Sequence, residues 1–367
     1  MTSGPDPDAF ARLLCGYCLD AQPGAQVVVR STTLAAPLVL AVQRALLERD
    51  AWPLLRVELP GQAEGWWAAA RDAHLDGFPP ADLGEAEGTD ASLVIQAPEN
   101  TRALAGVPPE RIARAARARR PVREAGLRRR WCGTFWPTPA AAQQAGMGTA
   151  EFADFVRRAT FLDHDDPVAA WAELSARQGA LIGRLASARE IHIEAEGTDL
   201  RLRVDGRTWV NSDGKRNMPS GEVFTGPHED SAEGRLRVTI PSSPRGVAVE
   251  GVELEFREGR VVSARADVGE DYLLATLDTD PGARRLGELG IGTNAGIDRP
   301  VGAILVDEKI NGTVHLALGS SYPETGGVNE SSVHWDLIVD MRRGGRLSAD
   351  GEIIQEDGAF GGAWRAR

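Results

Sequence analysis

The chain has 367 residues, enough for two domains with separate cores. With 42% hydrophobic and 26% charged residues it has an ordinary globular composition, and its formal charge of −12 argues against nucleic acid as the main partner. No apolar run approaches the roughly 18 residues that a membrane helix requires.

The first half alternates helix-like and strand-like segments. A helix near 6–20 precedes the strand QVVVRS at 26–31, and LVLAVQRALLERD then carries helical periodicity. The strand LLRVEL at 54–59 follows, then an alanine-rich helix around 63–74, then the strand SLVIQAP at 92–98. This alternation predicts an α/β domain with a mostly parallel sheet. From about 139 to 187 the pattern is helical throughout, with start signals at Thr138-Pro139 and at Thr149 followed by Glu151. At 188 the texture changes to alternating polar and apolar residues between Gly-containing turns. That predicts a largely antiparallel, β-rich α+β region broken by a helix near 269–280. The expected domains are therefore 1–187 and 188–367.

Three cysteines provide no disulfide framework and suit a reducing cytoplasm. MTSGPDPDAFARLL is acidic and lacks the basic start of a signal peptide. Cys15-Gly-Tyr-Cys18 has redox spacing, yet it sits inside a helical pattern rather than after a strand, so buried thiols are expected. The nine arginines between Arg111 and Arg130 lack interleaved aromatics and read as a solvated helix face. No Gly-x-Gly-x-x-Gly or phosphate loop follows a strand, which excludes a nucleotide-binding reading.

Chemistry concentrates in the second half. GTVHLALGSSYP at 312–323 and SSVHWDLIVD at 331–340 bring His315, Tyr322, His334 and Asp336 close in sequence. His334 and Asp336 share a strand face, because side-chain direction repeats every two residues. Glu222 in NMPSGEVFTGP and Glu288 in RRLGELGIGTN stand isolated among apolar or turn-forming residues, and LVDEKINGT adds Asp307 and Glu308. Carboxylates in such surroundings need a compensating cation or hydrogen bonds. Glu222, Glu288, Glu308 and Asp336 carry roughly four negative charges at neutral pH, which two divalent ions would balance. Elsewhere, His192 alternates with buried-type isoleucines, His74 ends a helix, and His164 and His228 lie in turn-rich segments. None of these four is expected to ligate a metal.

These segments resemble the aminopeptidase T family of metalloaminopeptidases, which includes thermophilic leucyl-type aminopeptidases. The resemblance rests on Asn-Met-Pro-x-Gly-Glu-Val, Leu-Gly-Glu-x-x-x-Gly-Thr-Asn-like, His-x-Ala-Leu-Gly-x-x-Tyr and His-x-Asp blocks in family order. APENTRALAGVPPERIA at 97–113, Trp-Pro-Thr-Pro at 136–139 and AGMGTAEFADF at 145–155 extend it over nearly the whole chain. It implies metal ligands at Glu222, Glu288, His315, His334 and Asp336. Glu308 is a weaker carry-over, since the family often has Glu five residues before the first His and here it lies seven before. The implied activity is release of N-terminal amino acids from peptides with a free N-terminus, by a hydroxide activated between two divalent ions. Zinc is the first candidate, with cobalt, manganese or magnesium as alternatives. Glu288 would bridge the ions, Glu222 or Glu308 would pass a proton to the leaving amine, and Tyr322 would donate to the oxyanion. A cytoplasmic homodimer is implied as well. The rival reading is a non-haem Fe(II) ring-cleaving dioxygenase using His315, His334 and Asp336 as a facial triad.

Overall fold

The computed structural model describes residues 4–242 and 244–361, which form two compact units. The first holds residues up to Val168 together with Gly214–Pro219; the second holds Ala169–Asp213 and the chain from Ser220 onward.

In the first unit the strands Gln26–Thr32, Trp52–Glu58, Ala91–Gln96 and Arg130–Phe135 are all paired in parallel. The expected parallel α/β sheet is thus present. Its fifth strand, Asn217–Met218, comes from far along the chain and pairs with Gly133 and Thr134. Val27, Val28 and Val29 are buried in the central strand, and helix Ala36–Leu47 contributes Leu38, Val39, Val42 and Leu46 to the core. The first helical segment is α-helical over Pro7–Arg12 and becomes a π-helix over Leu13–Cys18. The stretch expected to be helical from 139 to 187 is three helices: Pro139–Gln144, Thr149–Ala159 and Pro167–Leu185. Gly146 and Phe161, both at positive φ, lie in the two breaks between them.

The second unit begins with most of that third helix, so the compact units divide nearer 168 than 187. The reason is packing: Leu181 and Leu185 belong to the same core cluster as the strands that follow. Two sheets make up this unit, one of eight strands and one of five. Every neighbouring pair in them is antiparallel. The helix expected near 269–280 spans Glu270–Leu277. The strand pattern reaches Phe360, and residues 362–367 lie outside the described ones.

Candidate metal centre

The five-stranded sheet runs in the order His334–Asp340, Thr313–Gly319, Leu286–Gly292, Glu222–Thr225, Val210–Ser212. Its register decides what faces what. Glu288 lies opposite Ala317, and Ala317 lies opposite Asp336; His315 pairs with Gly290, and Glu222 with Gly292. By the two-residue period, Glu222, Glu288, His315, His334 and Asp336 therefore share one face with Gly290, Gly292 and Ala317. The alternate positions Val223, Leu289, Ile291, Val314, Leu316, Leu337 and Val339 face the other way and join the hydrophobic core cluster. One face is held by apolar burial, and the other is left for chemistry.

The small residues on the polar face make room. A Cβ on Gly290 would come within 2.0 Å of His315 Nε2, so the imidazole lies directly over the glycine. Gly221, just before Glu222, has φ +115°, and a Cβ there would meet the Asn294 Cβ at 2.7 Å. Asn294 donates to the Ser220 carbonyl at 2.7 Å, and Gln178 donates to the Glu222 carbonyl at 2.9 Å and to Thr293 Oγ1 at 3.0 Å. The backbone that carries Glu222 is thus tied on both sides.

The side chains form two groups of potential ligands, Glu222–Glu288–His315 and Glu288–His334–Asp336, with the ligand atoms of each within 4.8 Å of one another. His315 Nε2 is 3.3 Å from Glu222 Oε2 and 3.4 Å from Glu288 Oε1. His334 Nε2 is 3.5 Å from Glu288 Oε2 and 3.6 Å from Asp336 Oδ1. Glu288 belongs to both groups and turns a different oxygen to each. Imidazole nitrogens with carboxylate oxygens form a donor set that suits zinc and similar divalent ions.

Two further observations fit a cation here. Glu222 Oε2 is buried with no hydrogen-bond partner, and so is His315 Nδ1, whose ring is oriented by its packing on Gly290. Burial also pushes the Glu288, Asp336 and Glu308 carboxyls above their ordinary range. Burial works against a charge on His315, but Glu288, Glu222 and Asp336 overrule it and push the imidazole up to about 10. His334 is raised in the same way, against its burial, by Asp336 and Glu288. A buried cluster that draws protons onto its histidines is one that lacks positive charge.

Glu308 belongs to neither group among the described residues; one of its oxygens is taken by Lys309. The Lys309 side chain is 0% exposed, and its ammonium is also 3.2 Å from Glu222 Oε1. Burial would lower its pKa, yet the Glu222 and Glu308 carboxylates raise it above the usual lysine range. Sequence reading passed over Lys309, which lies in a charged run that looks like a surface loop. The only signal was a lysine next to an acid already under suspicion. Asp307 is used structurally: it accepts from the Val301 and Gly302 amides at 2.7 and 2.9 Å, and burial pushes it up to about 7. Tyr322 is 40% exposed, with its ring 5.1 Å from that of His334 and 5.5 Å from that of Phe224.

The facial triad of the dioxygenase reading does not form among the described residues. His315 groups with Glu222 and Glu288, whereas His334 and Asp336 group with Glu288 two strands away. The remaining histidines have other partners. His192 Nε2 is 2.7 Å from Asp199, His74 Nδ1 accepts from the Arg71 amide at 3.1 Å, His164 packs on Phe161, and His228 Nε2 donates to the Asp205 carbonyl at 2.9 Å. Cys15 and Cys18 are buried in the π-helix, and burial pushes the Cys15 thiol up to about 12. Several arginines of the basic run are paired with acids, Arg114 with Asp72 at 2.8 Å and Arg119 with Asp82 at 2.6 Å.

The chain is similar to several known proteins along most of its length. The family described as thermophilic metalloprotease (M29) matches residues 6–360. Aminopeptidase 2 of Geobacillus stearothermophilus is 32% identical, over 90% of this chain and 91% of its own. Aminopeptidase T of Thermus thermophilus is 34% identical, over 70% of this chain and 71% of its own. The solved structure of wild-type AmpT from Thermus thermophilus superposes with a TM-score of 0.84 at 26% identity, covering 97% of this chain and 98% of that one. Metalloprotease membership implies a divalent metal, and the two Glu and His groups are candidates to hold it. The chain belongs to the M29 family of metalloproteases and is a hydrolase of the aminopeptidase kind.

Proposed function

We propose that this chain is a two-metal aminopeptidase that releases N-terminal residues from peptides. One divalent ion would be held by Glu222, Glu288 and His315, the other by Glu288, His334 and Asp336. The observation that carries this reading is Glu288, whose Oε1 lies 3.4 Å from His315 Nε2 while its Oε2 lies 3.5 Å from His334 Nε2. A carboxylate so placed serves as the shared ligand. When bound, such ions lower the pKa of a water towards 7 and polarise a carbonyl. Zinc is the first candidate for this oxygen and nitrogen donor set, with cobalt, manganese or magnesium as alternatives.

The chain's own residues supply the rest. A carboxylate of the cluster pairs with the free α-amine of the peptide, which restricts the site to N-terminal residues. Lys309 engages one oxygen each of Glu222 and Glu308, and the other Glu222 oxygen faces His315 and the ion, so of the two acids Glu308 keeps an oxygen to carry the proton to the leaving amine. The Tyr322 ring lies 5.1 Å from that of His334, and its phenol would donate to the developing oxyanion. The reading includes a homodimer, testable by light scattering, and a cytoplasmic location, which three buried cysteines suit. Among the described residues no helix is long and apolar enough to cross a membrane.

Hydrolysis of leucine p-nitroanilide by metal-free protein, with divalent ions added back singly, tests the activity. Turnover that requires an added ion supports the proposal; no turnover with any of them contradicts it.

A further inference from the structure

Resting on the two-ion reading, we propose that Lys309 is a built-in cation of the metal centre. Its ammonium ties Glu222 to Glu308, keeps Glu308 out of coordination, and leaves the His315 site with three protein ligands and an open position.

A lysine is almost never fully buried unless paired, because removing an ammonium from water costs several kcal/mol. Lys309 is entirely buried, and its partners are two acids of the carboxylate cluster, Glu222 and Glu308. Its backbone is also held in place. The Lys309 carbonyl accepts from the Asn294 amide at 3.0 Å, and the Asn311 amide donates back to the Asn294 carbonyl at 3.2 Å. Asn294 in turn bonds Ser220, two residues before Glu222. One asparagine thereby fixes the lysine segment and the Glu222 segment against each other.

The consequence for Glu222 is a division of labour between its oxygens. Oε1 faces Lys309, while Oε2 has no hydrogen-bond partner and lies 3.3 Å from His315 Nε2. Glu222 is thereby set to offer a metal one oxygen only. Glu308, with an oxygen on the ammonium, is absent from both ligand groups among the described residues. Three protein ligands plus an open position is the pattern of a catalytic metal site rather than a closed structural one.

The charge balance shifts as well. The four carboxylates carry four negative charges and Lys309 returns one, so two divalent ions leave the loaded centre one charge positive. A centre with that surplus favours an anionic transition state over a neutral substrate.

The test uses the full chain, stripped of metal and titrated with Co²⁺ alone, read by calorimetry and by the cobalt absorption spectrum. In Lys309→Met the stem is kept and the charge removed, which frees Glu308 to coordinate. One of the two sites should then bind at least about tenfold more tightly, the scale on which neighbours of metal ligands act. The cobalt bands should also weaken as coordination number rises. Lys309→Arg, which keeps the charge, should retain the wild-type spectrum. Unchanged affinity and spectrum in Lys309→Met would overturn the proposal. Should that variant fail to fold without metal, Glu308→Gln decides: the ion count and spectrum should stay as in wild type, and loss of an ion would overturn it. Wild-type protein that binds other than two ions would instead contradict the two-ion reading and not the role of Lys309.

Discussion

The imidazole of His315 occupies the space that a side chain at residue 290 would fill, since a Cβ on Gly290 would come within 2.0 Å of Nε2. The two residues are register partners on adjacent strands, so neither can move without disturbing the sheet. Gly290→Ala should therefore displace the ring while the apolar face of the sheet persists. We expect metal affinity at the His315 group to fall roughly 10–100-fold, as when a ligand's support is removed, with circular dichroism near that of the parent. Unaltered metal binding by Gly290→Ala would show that the ring has room elsewhere.

Glu288 separates the shared acid from the others. Glu288→Gln removes charge facing both groups and should weaken both sites in a titration. Asp336→Asn touches only the His334 group and should weaken one. Two-site weakening of equal size in both variants would show that the bridge is misassigned.

How much of this was legible in the sequence depends on which force placed each residue. His334 and Asp336 were legible as a pair on one strand face, Glu288 as an isolated acid among apolar residues, and His315 as a histidine inside an apolar run. The parallel sheet of the first unit was legible for a different reason, the alternation of helix-like and strand-like segments along the chain. Its fifth strand was not: Asn217–Met218 is two residues long, and a pairing with Gly133 and Thr134 leaves no local pattern. Lys309 was hidden because Asp307 and Glu308 drew the reading of its segment to carboxylates, and nothing local pairs a lysine with Glu222. Only tertiary structure brings Glu222 up to its ammonium. Gly290 carries no local signal, and its place appears only once the register sets His315 across from it.

Tyr322 makes a sharper kinetic test. A phenol that serves the oxyanion acts in the transition state alone, so Tyr322→Phe should lower kcat by about a hundredfold, roughly 3 kcal/mol. KM and metal content should stay close to wild type. Phenylalanine keeps the ring contacts with His334 and Phe224, so wild-type kcat in this variant would remove the hydroxyl from the mechanism.

Acid should loosen the segment that carries Tyr322. Glu229 Oε1 accepts from the Val328 amide at 2.7 Å, and its Oε2 pairs with Arg207 at 2.8 Å. Asp280 accepts from Ser331 and from the Ser332 amide, both at 2.8 Å. Burial alone would raise both carboxyls, but these hydrogen bonds and, for Glu229, the Arg207 charge hold them below their ordinary range. An acid whose folded pKa is depressed contributes stability that is present above its unfolded value, near 4, and lost as pH falls through the folded value. Amide exchange over 320–333, corrected for intrinsic rates, should hence show protection at pH 6 that declines below about pH 4. Glu229→Gln should already reduce that protection at pH 6. Equal protection at both pH values would count against the clamp.

Elemental analysis of the reconstituted, desalted protein counts the ions that share Glu288. Close to two divalent ions per chain are expected, with activity on leucine p-nitroanilide lost on chelation and regained when the ions are returned. A single tightly held ion at full activity, unaffected in number by Glu288→Gln, would contradict two ions sharing Glu288.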